Sequence, residues 1–408
     1  MTTTLTYGAN KTFLLDATEA TLLRPRQIES LPHDQIVAHV RAQLAEPIHF
    51  PPLAQATVPG DHVVLAIEPG IPQRLAVIDG ALQALQEAGV EDAHITLLLA
   101  CPTTNVDALR DDLAALGHCR CQIKNHDPDN EKEIAFLGVS QTEVALRLNR
   151  ELCEADLVLP VSVTTGQLSS DESLPNFAGL FPVFSDRETR QRFSSATAEH
   201  FPALAPESLL EIEECGRQLG VLINTQVVPA PDGQVAALFA GDPVSVARQA
   251  QEKYREVWCS DSQGRGNLVI ATLAGGAEQQ TWQNVGRALA AAEAVLEPGG
   301  CIAICSELAE RPGIALSQLF GNEDYGVVAR EIRQNPDADS GAALQLCRSL
   351  DRGTVYLRSK LSRSVVESLG ITPFESDNEL EHLAQTLRPC VVLKEAQRLM
   401  PSVIEVEA

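Results

Sequence analysis

The chain has 408 residues, 44% of them hydrophobic, which is enough to bury the cores of roughly two or three domains. Its formal net charge of −24 argues against nucleic acid or anionic membrane as a partner, because both select Lys and Arg. No apolar run approaches the roughly 18 residues that span a bilayer. The first residues lack the basic and apolar segments of a secretory signal, so we expect a cytoplasmic protein.

Apolar strand-like runs alternate with helical patterns through the first half of the chain. The predicted elements are, in chain order, a strand at HVVLAIEP (62–69), a helix at QRLAVIDGALQALQEAG (73–89), a strand at HITLLLAC (94–101), a helix at NVDALRDDLAALG (105–117), a strand at CRCQIKNH (119–126), a helix at TEVALRLNRELCEA (142–155) and a buried strand at DLVLPVSV (156–163). This alternation is typical of βαβ units on a parallel sheet.

The second half continues the alternation. The predicted elements are a helix near PESLLEIEECGRQLG (206–220), a strand at VLINTQVV (221–228), a hairpin turn at PAPDG (229–233), a strand at QVAALFAGD (234–242), a helix at PVSVARQAQEKYREVW (243–258), and then strands near NLVIATLAGG (267–276), CIAICSE (301–307), TVYLRSKL (354–361) and CVVLKEA (390–396). The polar, Gly-rich CSDSQGRGN (259–267) is the best boundary. We therefore predict two α/β domains with mainly parallel sheets, at 1–262 and 263–408, and a cleft between them.

The ten cysteines are scattered and include no CxxC pair. The nearest metal-like cluster is His118-Cys119-Arg120-Cys121, whose thiols alternate along one strand. A zinc site would need further ligands from elsewhere, so we interpret these residues as structural.

Ligands of α/β sheets bind beyond the carboxyl ends of strands, so the strand exits are the candidate sites. These exits carry no GxGxxG, GKS/T, HExxH or GxSxG motif. Only Glu68 and the His126/Asp127 pair have the side chains and positions for acid–base chemistry. A turn histidine among Asn and Asp residues is more often a loop brace, and we favour that interpretation of His126.

Read in order, many moderate segment matches point to one family. The segments are NHDPDNEKEIAFLG (125–138), LNRELCEADLVL (148–159), LINTQVV (222–228), FAGDPVSVA (239–247), AGG (274–276), WQNV (282–285) and AAAEAVLEPGGCIAI (290–304). On these residues the chain resembles the nickel-pincer lactate racemases and their 2-hydroxyacid racemase homologues, over nearly its whole length.

The resemblance implies a racemisation in which the substrate is oxidised and then reduced again within the site. A histidine would take the hydroxyl proton of lactate while the α-hydride moves to a nickel-bearing pincer nucleotide and returns to either face. It also implies a lysine that holds the pincer covalently, a histidine on nickel, and an arginine for substrate or cofactor. Nickel does favour imidazole and sulfur ligands, and a base must reach the hydroxyl.

This chain departs from the family at those positions. Glu68 stands for an Asp, and the catalytic positions of the resemblance are occupied by Ile71 (for Arg), Thr104 (for His, followed by Asn105 for Arg), Gln167 (for His), Ala178 (for the lysine) and Ser194 (for the nickel histidine). Neither Thr nor Gln acts as a base near neutral pH. His200 is a weak alternative metal ligand, and Trp282-Gln283 replaces a Tyr-Gln pair.

We therefore favour a family homologue with a degenerate active site, non-catalytic or altered, that binds a hydroxyacid-like small molecule or a protein partner and uses no cofactor. The residues expected to line its cleft are Glu68, Thr103, Thr104, Asn105, Gln167 and Gln283. The alternative is an active 2-hydroxyacid racemase, an isomerase that would carry the nickel-pincer nucleotide.

The run SLPNFAGLFPVFSD (173–186) lies where relatives present the lysine. Five of the eleven Phe residues fall between Phe177 and Phe201. We predict that this loop packs as apolar filler. If Phe177, Phe181 and Phe184 filled the interdomain cleft, cofactor binding would be excluded.

Overall fold

The structure is a computed structural model that describes residues 2–16, 20–100, 105–166, 176–177, 179–198, 201 and 203–404. The described strands are β1 (Thr2–Tyr7), β2 (Lys11–Asp16), β3 (Thr21–Leu23), β4 (Val63–Ile67), β5 (Ile95–Leu99), β6 (Gln122–Asn125), β7 (Ile134–Val139), β8 (Ala145–Asn149), β9 (Leu157–Val163), β10 (Asn224–Pro229), β11 (Val235–Gly241), β12 (Cys259–Ser262), β13 (Gly266–Thr272), β14 (Leu296–Cys305), β15 (Val355–Arg358), β16 (Thr372–Pro373), β17 (Cys390–Leu393) and β18 (Met400–Val403).

The described α-helices are α1 (His33–Ala45), α2 (Leu53–Ala56), α3 (Arg74–Glu87), α4 (Val106–Ala115), α5 (Arg150–Glu154), α6 (Arg187–Ala198), α7 (Pro206–Gln218), α8 (Pro243–Trp258), α9 (Trp282–Ala294), α10 (Ile314–Ser317), α11 (Tyr325–Gln334), α12 (Ser340–Arg352), α13 (Arg363–Ser368) and α14 (Asp377–Thr386). None of them is long and apolar enough to cross a membrane.

The first large sheet has six strands in the order β11-β10-β9-β4-β5-β6. All its pairs are parallel except β10–β11, which form the hairpin expected at PAPDG. Along the chain, β5 and β6 are added on one side of β4, and β9 to β11 on the other. The strand order therefore reverses between β4 and β9, the place where open α/β sheets bind ligands.

Both faces of this sheet are covered, which explains why its strands are apolar throughout. In β4, Val63, Leu65 and Ile67 pack with residues of α1 and α3. Val64 and Ala66 face the other way and pack with the aromatic residues of the 177–193 segment. A parallel strand buried on both sides has no polar face, so continuous Val, Ile and Leu runs are expected.

The second large sheet has six strands in the order β16-β15-β14-β13-β17-β3, and all its pairs are parallel. Val269 and Ala271 of β13 pack with α9 and α12. Leu268 and Ile270 pack on the other face with α14 and the β1–β2 hairpin. Here the order reverses between β13 and β17. The α/β class with mainly parallel sheets is thus confirmed.

The first residues of the chain lie with the second sheet. Leu5, Tyr7, Phe13 and Leu15 of the β1–β2 hairpin are buried in its core, and β3 pairs in parallel with β17. The domain division at residues 262 and 263 stays a prediction. The polypeptide passes between the two large sheets twice, because the residues before the first sheet pack with the second sheet. At the predicted boundary itself, β12 pairs with β18 before the chain turns into β13.

The helix predicted over residues 142–155 is wrong. The structure has the strand β8 there, paired antiparallel with β7, followed by the short helix α5. Leu146 and Leu148 alternate inward and are fully buried. The helical interpretation failed because the leucines of this five-residue strand and of the helix that follows it fit both the two-residue spacing of a strand and the spacing of a helix.

Candidate functional site

Glu68 is fixed at the first reversal point. It follows β4, and its backbone N–H donates to the Val161 carbonyl of β9 at 3.0 Å. Its side-chain Oε2 accepts from the Val163 N–H at 2.8 Å. The carboxyl group is thereby held at the junction of two adjacent strand ends.

A cavity of about 30 Å³ lies beside this carboxyl group. It is lined by Glu68, Ser162, Val163, Thr164, Thr165, Gly179, Gln226, Ala247 and Gln251. A space of this size holds one water or one hydroxyl group. Thr164 Oγ1 and Gln251 Oε1 are buried with no hydrogen-bond partner among the described residues. Buried polar atoms are rarely left unpaired, so the cavity is suited to a polar guest.

We define Glu68, Thr164 and Gln251 as the acid wall. Two features set the chemistry of this wall. Desolvation raises the pKa of Glu68 to about 7, against the opposing effects of the Val163 N–H and of Arg287 and Arg398. The Gln251 amide nitrogen donates to the Thr165 carbonyl at 2.7 Å, which turns its oxygen away from that strand end. The wall therefore offers an acid that is half ionised near neutral pH.

Residues 176–177 and 179–184 back this wall from the core. A Cβ atom on Gly179 would lie 2.3 Å from Ser162 Cβ and 2.7 Å from Glu68 Oε2, so the backbone itself touches the acid. Phe177, Phe181 and Phe184 are buried against one face of the first sheet. They pack as apolar filler in that core, and not in the gap between the two large sheets, so they do not by themselves exclude a bound cofactor.

His126 is a brace for the same segment. It is 1% exposed, and its Nε2 lies 2.9 Å from the Ser185 carbonyl while Asn149 Nδ2 lies 3.1 Å from its Nδ1. A carbonyl only accepts, so Nε2 carries the proton and Nδ1 accepts from the Asn149 amide. Burial lowers the pKa of His126, which keeps it neutral. The structural interpretation of this histidine is confirmed.

The second reversal point supplies the opposite charge. We define the basic wall as Gln279, Arg287 and Arg398, which follow β13 and β17. Arg287 Nη1 donates to Asn284 Oδ1 at 3.0 Å, and Arg398 Nη2 donates to Gln279 Oε1 at 3.4 Å. Burial lowers the pKa of Arg287, and the neighbouring Arg398 adds to that effect. Within the described part of the chain no carboxylate forms an ion pair with either arginine.

The two walls meet across the cleft. A Cβ atom on Gly70, just after β4, would lie 3.2 Å from Gln279 Nε2. Tyr254 donates its hydroxyl hydrogen to the Arg398 carbonyl at 2.6 Å, and its ring lies against Gly166 after β9. Arg287 and Arg398 act electrostatically on Glu68 over this gap. The two strand-order reversals therefore face each other and form one site.

The structure separates the residues predicted from the sequence. Glu68 lies in the site. Asn105 is exposed and caps α4, because its Oδ1 accepts from the N–H groups of Asp107 and Ala108. Gln283 is exposed on the first turn of α9, whereas the neighbouring Asn284 is buried. Ile71 is 7% exposed and belongs to the apolar core of the first sheet, so it offers no polar contact.

Of the other predicted positions, the structure describes one and leaves five outside its described residues. Ser194 is half-buried in α6. Thr103, Thr104, Gln167, Ala178 and His200 lie outside the described residues. The residues that sequence reasoning missed are Gln251, Gln279, Arg287 and Arg398. The strand-exit rule would have found Arg398, since it follows β17, but Arg287 and Gln251 lie on helices.

The metal-like cluster at His118 is structural. His118 is buried, and its Nε2 lies 3.0 Å from Asp79 Oδ1, while His33 Nε2 lies 3.0 Å from Asp79 Oδ2. Asp79 thus joins α1, α3 and the turn before β6. Cys119 is exposed and Cys121 is half-buried. No group of three His, Cys, Asp or Glu side chains able to hold a metal occurs in the described ranges.

The fold is of the α/β class, with two doubly wound sheets whose points of strand-order reversal face each other. Residues 7–168 match the family model of the lactate racemase N-terminal domain. Over these residues the chain is similar to that domain. Comparison with curated protein sequences gives no match.

Solved structures share the whole fold. The lactate racemase apoprotein from Thermoanaerobacterium thermosaccharolyticum is 18% identical, with a TM-score of 0.77 over 99% of this chain and 100% of that one. A structural-genomics target from Thermotoga maritima is 12% identical, with a TM-score of 0.66 over 93% of this chain and 100% of that one. At these identities the likeness concerns the fold alone.

The nickel-bearing nucleotide that the resemblance implies does not fit the described residues of the cleft. The lining of the cavity beside Glu68 includes no Lys, His or Cys. Ile71 lies in the core where an arginine would be required. The described residues thus supply neither a covalent anchor nor metal ligands for that group.

Proposed function

We propose that this chain binds a small hydroxyacid-like carboxylate between the acid wall and the basic wall, without the nickel-dependent racemase reaction. The observation that carries the proposal is the pair of unpartnered buried atoms, Thr164 Oγ1 and Gln251 Oε1, beside a cavity the size of one hydroxyl group. A ligand hydroxyl placed there accepts from Thr164 and donates to Gln251.

The basic wall supplies the second contact. Arg287 and Arg398 form no ion pair with a described carboxylate, and guanidinium groups bind carboxylates with paired hydrogen bonds. A ligand with a carboxylate next to a hydroxyl-bearing carbon spans the two walls. The proposal places the chain in the cytoplasm, whose reducing conditions suit free buried thiols such as Cys215 and Cys305.

The test is thermal unfolding and calorimetric titration with lactate, glycerate and 2-hydroxybutanoate. A ligand at about 100 times its dissociation constant raises the unfolding free energy by about 2.7 kcal/mol. Arg398→Gln should reduce the shift, whereas Arg248→Gln, an exposed arginine on α8, should leave it unchanged. Absence of any shift, with co-purification of a protein partner, would favour a protein-binding role.

The active-racemase alternative has its own test. The chain is co-expressed with the enzymes that make the pincer nucleotide, and its intact mass and nickel content are measured. We expect an unmodified mass, because position 178 is alanine and no lysine lies between Arg150 and Arg187. A covalent adduct with nickel would overturn the proposal.

A further inference from the structure

Glu68 is the sole titratable side chain among the described residues that line the cavity. One carboxyl oxygen, Oε2, is held by the Val163 N–H at 2.8 Å. The other oxygen, Oε1, accepts no hydrogen bond from the described part of the chain. The group is therefore oriented by the backbone but retains a free oxygen, which is the arrangement of a proton-transferring acid rather than of a purely structural one.

The surroundings support proton transfer at neutral pH. Because the Glu68 carboxyl group is desolvated, it gains or loses its proton near pH 7. A group with such a pKa can act as a general acid or base at neutral pH. The basic wall faces it with two guanidinium groups, so negative charge that develops on a ligand oxygen is stabilised across the gap. No redox cofactor is needed for such chemistry.

We infer that Glu68 exchanges protons with the carbon beside the carbonyl group of a 2-oxo acid, so that the cleft catalyses reversible enolate formation without a cofactor. This inference rests on the proposed carboxylate binding. The Glu68 carboxylate takes a proton from C3, and the electrons of the broken C–H bond form the C2=C3 double bond. The carbonyl π electrons move to oxygen as an enolate, and Arg287 and Arg398, which hold the neighbouring carboxylate, stabilise its charge across the gap. Return of the proton from Glu68 to C3 restores the 2-oxo acid.

The experiment follows deuterium incorporation at C3 of pyruvate and 2-oxobutanoate in D2O by proton NMR, with wild-type protein, Glu68→Gln and protein-free buffer. We expect exchange about 100-fold faster with wild type than with Glu68→Gln, the typical contribution of a positioned acid–base group. Glu91→Gln is the matched control, because Glu91 is exposed and its side chain caps nothing.

Each outcome of this experiment either supports or overturns the inference about Glu68. Wild-type exchange no faster than in buffer, with pyruvate binding seen by calorimetry, overturns the inference and leaves the proposed function standing. No binding of either 2-oxo acid or of any hydroxy acid overturns both. If Glu68→Gln does not fold, Glu68→Asp provides the readout: it keeps the acid but shortens its reach, and unchanged exchange in that variant would overturn the role of Glu68.

A pH profile separates proton transfer from a structural role. The base form of Glu68 is required, so exchange should rise with pH through the region near 7 and then level off. A structural carboxyl group would change the amount of folded protein but not the shape of this profile. A profile that falls over the same range would contradict the inference.

Discussion

At the β4–β9 reversal the side chains that reach the cleft are a carboxyl, a hydroxyl and an amide, whereas at the β13–β17 reversal they are two guanidinium groups and an amide. In both sheets the reversal arises because later strands are added on opposite sides of one strand, β4 in the first sheet and β13 in the second. The common backbone geometry positions the two walls, and the residues placed on it give them opposite charge. Fold and site chemistry are thus set by different residues, as expected when function depends on side chains placed on a shared scaffold.

The largest expected effect concerns what supports the acid wall. Phe181 is fully buried, and its ring packs edge-on against Phe193 at 5.1 Å. Phe181→Ala should lower the unfolding free energy by about 3–5 kcal/mol, measured by urea denaturation. Phe320→Ala is the control, because that ring is 43% exposed and should cost under about 1 kcal/mol. Equal losses would show that residues 176–177 and 179–184 do not support the wall.

The second effect is a pH-dependent stability carried by the acid wall. The pKa of Glu68 is raised to about 7 in the folded chain, so the unfolded chain releases this proton at lower pH. Between about pH 4.5 and about pH 7 the folded state holds the extra proton, and stability falls as pH rises. Glu68→Gln should match wild type near pH 5 and exceed it by about 2 kcal/mol near pH 8. A constant difference across this range would contradict the shifted pKa.

The basic wall should dominate ligand affinity. Arg398→Gln removes one charged contact and should weaken hydroxyacid binding by about 10- to 100-fold in a calorimetric titration. The fold should survive, because Tyr254 binds the backbone carbonyl of residue 398 and not its side chain. If Arg248→Gln weakened binding equally, the effect would be general charge and not this wall.

The smallest effect comes from the hydroxyl of the acid wall. Thr164→Val keeps the shape of the side chain but removes Oγ1, and we expect binding about three- to tenfold weaker. Stability of the free protein should stay the same or rise slightly, because the hydroxyl has no partner among the described residues. Loss of stability without loss of affinity would show that Thr164 serves the fold.

The sequence predicted the sheets better than the walls. Strands such as β4 and β9 are continuous apolar runs, because both of their faces are buried, and such runs are readable locally. The β7–β8 hairpin was missed because its buried residues, Leu146 and Leu148, also fit a helical spacing. Local periodicity cannot separate the two for short segments.

Glu68 was predicted for the site because it directly follows a strand. Arg287 could not be predicted in the same way, since its role depends on how the second sheet faces the first. Gln251 is buried on α8, where the sequence alone favours a packing role. Residues that meet across two sheets are brought together by tertiary packing, which leaves no trace in local spacing.

The pairing of β3 with β17 also bears on when the protein folds during its synthesis. Residues 21–23 are made more than 300 residues before their partners at 391–393. The β1–β2 hairpin likewise packs Leu5 and Phe13 in a core with β13 and β14, which are made after the whole of the first large sheet. Domains usually fold in order of synthesis, but here a segment made before the first sheet is placed only after it. The nascent chain therefore carries these apolar residues without their core while the first sheet is being made.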